Sequence, residues 1–72
     1  MDRADAIALL KELVSLHLVQ PSLIMVKKNA DGSSSLVIKV NGNIQSVRQF
    51  VAEKNLAMEE NQKTGYFIIF EP

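Results

Sequence analysis

Three stretches of the chain are apolar on both faces of any strand they form: Leu23-Ile24-Met25-Val26, Leu36-Val37-Ile38-Lys39-Val40 and Tyr66-Phe67-Ile68-Ile69-Phe70. A strand with one wetted face alternates apolar and polar residues, whereas a nearly continuous apolar run implies burial on both sides. Only two segments have the spacing of helices, and two helices cover one face of a sheet. The other face, or an edge, is therefore expected to meet another chain.

Length sharpens that expectation. With 72 residues, no cysteine and one histidine, residues 1–72 read as one small α+β domain with neither a disulfide nor a plausible set of zinc ligands. A core of this size rarely leaves more than about 3–5 kcal/mol net, so association is an obvious further source of stability. Eight basic residues balance eight acidic ones. A nucleic-acid binder normally carries an electrostatic footprint, because phosphate neutralisation supplies most nonspecific affinity, and neutrality weighs against that class. Ala6 to Val19 is rich in Leu, Ile and Val but is interrupted by Lys11 and Glu12. It matches neither a signal peptide nor the roughly 20 apolar residues of a membrane span. The missing cysteine fits a reducing compartment, and a cytoplasmic protein without a membrane partner is expected.

Local chemistry predicts the elements. Asp2 is an N-cap type, Asp5 favours the first helical turn, and the helix is expected to run to about Leu18, ended by Gln20-Pro21-Ser22. Ala6, Ile7, Leu9, Leu10, Leu13 and Val14 form its apolar stripe. Asn29-Ala30-Asp31-Gly32-Ser33 is a hairpin turn joining the first two strands. Asn43 is placed to cap a second helix from Ile44 to about Lys54, with Ile44, Val47, Phe50 and Val51 inward, Asn55 left-handed at its end and Leu56 folding back. Leu56 to Glu60, a turn at Asn61 to Gly65, and the Tyr66 to Phe70 strand make a second hairpin. The expected fold is a two-layer αββαββ arrangement, an antiparallel sheet with both helices on one face. Its halves echo each other, Ile7, Leu10, Leu13 and Val14 recurring as Ile44, Val47, Phe50 and Val51, and Lys27-Lys28 standing where the second half has Glu59-Glu60. Those charges read as solvated strand ends, or as partners across a sheet or a dimer.

No residue is assigned a catalytic, metal-binding or cofactor-binding role, and no enzyme is expected. His17 lies in the last turn of the first helix without a cysteine to activate, which makes it a capping or packing residue. Glu59 and Glu60 are adjacent on a strand and point to opposite faces. Ser33-Ser34-Ser35 reads as a polar, flexible turn flank. Asn41-Gly42-Asn43 sits at a strand-to-helix junction but lacks the glycines and lysine of a nucleotide motif. Ala30-Asp31-Gly32-Ser33 echoes a motif of homing endonucleases, which are built from αββαββ elements. In that family the motif ends a helix, whereas here it falls in a hairpin turn, and the chain is shorter than that enzyme core, so the resemblance is rejected.

The functional expectation rests on the sheet face away from the helices. Val37 and Lys39 point there if Leu36, Ile38 and Val40 face the helices, and on the last strand either Tyr66, Ile68 and Phe70 or Phe67 and Ile69 must join them. A protein-interaction or assembly module is expected, homodimeric or bound to another protein through Met25, Val37, Lys39, Tyr66, Ile68 and Phe70. The rival is a small nucleic-acid-binding regulator with Lys27, Lys28, Lys39 and Arg48 along a groove and Tyr66, Phe67 or Phe70 as a stacking face.

Overall fold

Two hairpins and two helices, one helix ahead of each hairpin, make up the chain, and the computed structural model describes all of residues 1–72. The order is α1 (Arg3–Ser15), a 3-10 turn (Pro21–Leu23), β1 (Ile24–Lys28), β2 (Ser34–Ile38), α2 (Ile44–Glu53), β3 (Ala57–Asn61) and β4 (Tyr66–Phe70). The expected α+β fold of two helices on a four-stranded antiparallel sheet is what forms. Sheet order is β1-β2-β4-β3, so the second strands of the two hairpins meet at the centre. Leu36 pairs with Ile69, Val37 with Ile68 and Ile38 with Phe67 at that seam.

Both helices begin as their caps dictate. The Asp2 carboxylate accepts from the Asp5 N–H at 2.8 Å, and the Asn43 side-chain oxygen accepts from the Gln45 N–H at 3.0 Å. Both also end in the same motif. His17 and Asn55 take left-handed conformations at φ 59° and 58°. The next residues reach back into the last turn, Leu18 N–H to the Leu13 carbonyl at 3.0 Å and Leu56 N–H to the Val51 carbonyl at 3.1 Å. This is the Schellman arrangement, in which a left-handed residue lets orphan carbonyls be satisfied. Helix α1 therefore stops at Ser15, short of the expected Leu18, because its own C-terminal motif ends it before Pro21 does. His17 is exposed, not packed, and closes the helix with its backbone.

The core lies between the helices and one sheet face. Ala6, Leu9 and Leu13 of α1 and Val47, Phe50 and Val51 of α2 are buried against Leu36, Ile38, Phe67 and Ile69. Ile7, Leu10 and Val14 are only half-buried, so the centre of the α1 stripe is rotated by one residue from the echo expected with α2. The shift that superimposes the helix ends, Leu18 onto Leu56, also sets Leu9 on Val47 and Leu13 on Val51. It differs from the shift that relates Val37 to Ile68 at the sheet centre, so the connecting segments of the two halves differ in length. Glu12 and Lys54 join α1 to the end of α2 through a 3.1 Å ion pair.

The first hairpin begins and ends differently from the expected apolar runs. Leu23 belongs to the 3-10 turn, its N–H bonded to the Gln20 carbonyl at 2.9 Å, and the strands extend instead toward the Asn29–Ser33 turn. Asn29 N–H to Ser33 carbonyl, at 2.8 Å, closes that turn, and Gly32 at φ 91° supplies the left-handed residue it requires. The closed turn carries Lys27 opposite Ser35 and Lys28 opposite Ser34. Lys39 and Val40 fall beyond β2, although the Lys39 N–H still reaches the Leu23 carbonyl at 2.9 Å.

Candidate functional site

Alternation along each strand sorts side chains onto two faces. Burial of Leu36, Ile38, Phe67 and Ile69 under the helices turns Val37, Tyr66, Ile68 and Phe70 to the opposite face, and the registers bring Met25, Lys27, Ala57 and Glu59 there with them. The open alternative for the last strand is thereby decided: Tyr66, Ile68 and Phe70 look outward. One row crosses the whole face, Met25 beside Val37, Val37 beside Ile68, and Ile68 beside Glu59. Neither helix covers it, and only at one end does the Asn29–Ser33 turn close over Ser35, which lies on this face opposite Lys27.

The face has an apolar middle. Val37, Ile68 and Phe70 are half-buried by their neighbours within the sheet, while Met25 is 61% exposed and Tyr66 38% exposed. Lys39 lies beyond the end of β2 with its ammonium 5.5 Å from the centre of the Tyr66 ring, a cation–π contact at the margin. Thus Met25, Val37, Lys39, Tyr66, Ile68 and Phe70 all belong to one surface. Its two edges carry opposite charge, Lys27 on β1 and Glu59 on β3, both exposed. An open depression of about 320 Å³ is bordered by Lys27, Ser35, Glu59, Ile68 and Phe70.

Pairing of Lys27-Lys28 with Glu59-Glu60 inside one sheet does not occur, because β1 and β3 are opposite edges separated by two strands. The ion pairs of the chain are Glu12–Lys54 and the Met1 amine with Glu71. The four residues of the nucleic-acid reading are also divided. Lys27 and Lys39 lie on or beside the outer face, and Lys28 alternates to the helix side. Arg48 lies on α2 with its guanidinium 5.6 Å from the Phe67 ring centre. They do not line one groove, and Phe67 is buried under the helices.

Ser34 and Ser35 correct the expectation of a flexible flank, since both are buried strand residues. Ser34 N–H bonds to the Met1 carbonyl at 2.6 Å. The Asn29 amide donates to Ser35 Oγ at 2.8 Å and to Ser33 Oγ at 3.0 Å, and Ser33 Oγ donates onward to Asp31 at 2.6 Å. These bonds brace the hairpin tip. The hydroxyl of Ser33, followed by its backbone N–H at 2.9 Å, holds the Asp31 carboxyl below its ordinary value of 3.8. Three serines in a row beside a turn gave no sign of this burial; the signal was Asn29, whose amide can reach across the hairpin.

Elsewhere little chemistry converges. No three His, Cys, Asp or Glu side chains are grouped. His17 borders a polar depression with Asn41, Asn43 and Ser46 at the start of α2. No helix is long and apolar enough to cross a membrane. Comparison of the chain with family models, with curated proteins and with solved structures gave no match in any of the three.

Proposed function

We propose that the chain is a protein-interaction module that associates with a second copy of itself through the outer sheet face and carries no catalysis of its own. The observation that supports this reading is the apolar row Met25, Val37 and Ile68, with Tyr66 and Phe70 beside it, on a face that neither helix covers. Covering such a patch removes apolar area from water, the main favourable term in association. Pairing of edges is a poorer alternative for a two-fold dimer. Each edge carries like charges, Lys27 and Lys28 on β1 and Glu59 and Glu60 on β3, and would meet itself.

The size of the face sets the expected strength. Four strands about 4.8 Å apart and five residues long at about 3.4 Å each give a footprint of about 300 Å², below the roughly 800 Å² per partner of a standard interface. The dimer is accordingly weak, forming in the micromolar range or above. Sedimentation equilibrium from 1 µM to 1 mM tests it: the expected result is a concentration-dependent monomer–dimer transition that Ile68→Asp abolishes without loss of the circular dichroism of the fold. A wild-type chain that stays monomeric across the range overturns the proposal. A cytoplasmic setting belongs to the same reading, resting on the absence of cysteine.

A second reading keeps one observation. Lys27, Lys39, Tyr66 and Phe70 share the outer face, the combination of cations and rings that holds single strands. Glu59 on the same face and the zero net charge count against it. Salt-dependent binding of a fluorescent oligonucleotide at low ionic strength, lost in Lys27→Ala and Tyr66→Ala, would favour it over self-association.

A further inference from the structure

We infer that the two-fold axis of this homodimer runs parallel to the strands over the β2–β4 seam, so that Lys27 of each copy meets Glu59 of the other. The inference rests on the proposed use of the outer face and adds the orientation of the partner. In a face-to-face two-fold pair the axis lies between the sheets, and two limiting directions are open to it. An axis across the strands lays each strand over its own copy, setting Lys27 near the second Lys27 and Glu59 near the second Glu59. An axis along the strands exchanges the edges, laying β1 over the partner's β3. In both cases β2 and β4 lie over β2 and β4, so the apolar contacts of Val37, Ile68 and Phe70 do not choose between them.

The edge charges favour the axis along the strands, against the cost that this axis brings the two Lys39 side chains near each other at the end of β2, where each lies over its own Tyr66 ring. Lys27 is on one edge strand and Glu59 on the other, with both side chains exposed and neither in an ion pair within the chain. The registers place Glu59 in the row of Met25, one same-face position along β1 from Lys27. That offset is about 7 Å, within the span of a lysine side chain crossing between sheets about 10 Å apart. Like charges opposed across an interface cost association, whereas opposite ones select the orientation. Symmetry doubles the effect, since each such dimer holds two Lys27–Glu59 pairs.

The test is a charge-exchange series measured by sedimentation equilibrium at low salt: Lys27→Glu, Glu59→Lys and the double variant, with Ile68→Asp as the variant that removes the face itself. An exposed ion pair contributes up to about a factor of five and each dimer holds two, so a single reversal, which removes both, is expected to weaken dimerisation by up to roughly 25-fold and the double variant to return it to within about twofold of wild type. If the charge variants all associate as wild type while Ile68→Asp is monomeric, the axis is wrong and the use of the face stands. If wild type itself is monomeric, both readings fall. Circular dichroism confirms the fold of each variant, which the exposure of both positions leads one to expect.

Discussion

Leu36 and Val37 are neighbours on the same central strand, and shortening each to alanine isolates what the two faces of the sheet contribute. Leu36 has no exposed surface and packs among the core residues of both helices. Its replacement by alanine removes the transfer energy of the lost carbons and leaves a closed cavity, at a cost of about 2–5 kcal/mol. A core of this size rarely leaves more than about 3–5 kcal/mol net, so Leu36→Ala removes most of it. At about 4–8 °C per kcal/mol, a loss near 3 kcal/mol lowers Tm by about 12–24 °C. Val37 is half-buried on the open face. Two fewer carbons at about 0.8 kcal/mol each when fully buried, with no closed cavity left behind, come to about 0.5–1 kcal/mol for Val37→Ala. Urea titration below 1 µM, where the chain is monomeric on the proposed reading, should show that contrast. At concentrations that favour the dimer, the cost of Val37→Ala should rise while that of Leu36→Ala should not. Equal losses at low concentration would refute the assignment of faces on which the proposed interface depends.

Three further outcomes are expected. The Asp31 carboxyl should titrate below 3.8 by NMR and move part of the way back toward it in Ser33→Ala, because that variant removes the hydroxyl donor, the larger cause of the lowering, and keeps the backbone N–H. The sign follows from that lowering: the ionised carboxylate favours the folded hairpin above the unfolded pKa, and the effect fades as pH falls through the lower folded value. His17→Gly should raise thermal stability by up to about 1 kcal/mol, since an exposed side chain at φ 59° gives up little packing while glycine removes the left-handed strain. Glu12→Ala, Lys54→Ala and their double variant should give a coupling below about 1 kcal/mol in a thermodynamic cycle, as both side chains of this 3.1 Å pair are more than 40% exposed.

The parts of the molecule legible in the chain itself are those whose cause is local. Asp2 and Asn43 start helices because their side chains bond backbone donors two or three residues on. Asn55 and Gly32 sit where a left-handed residue is required, and the two turns mark the two hairpins. Even where local reasoning missed, the reason is local: the Schellman motif at His17 uses a residue type that does not announce a left-handed conformation, and it ended α1 before Pro21 could.

What the tertiary structure alone decided is non-local. Tyr66 to Phe70 is apolar on both faces, so alternation carries no information about its direction; only pairing with β2, and the burial of Phe67 and Ile69 that follows, turns Tyr66, Ile68 and Phe70 outward. The order β1-β2-β4-β3 depends on contacts between residues far apart in the chain. That order places Lys27 and Glu59 on opposite edges of one face. The chain by itself specified two helices, four strands and a surplus of apolar strand surface, because caps, turns and periodicity act over a few residues. Which of that surface stayed uncovered, and how charge is distributed around it, was decided by packing, because a side chain's face is set by the strand beside it.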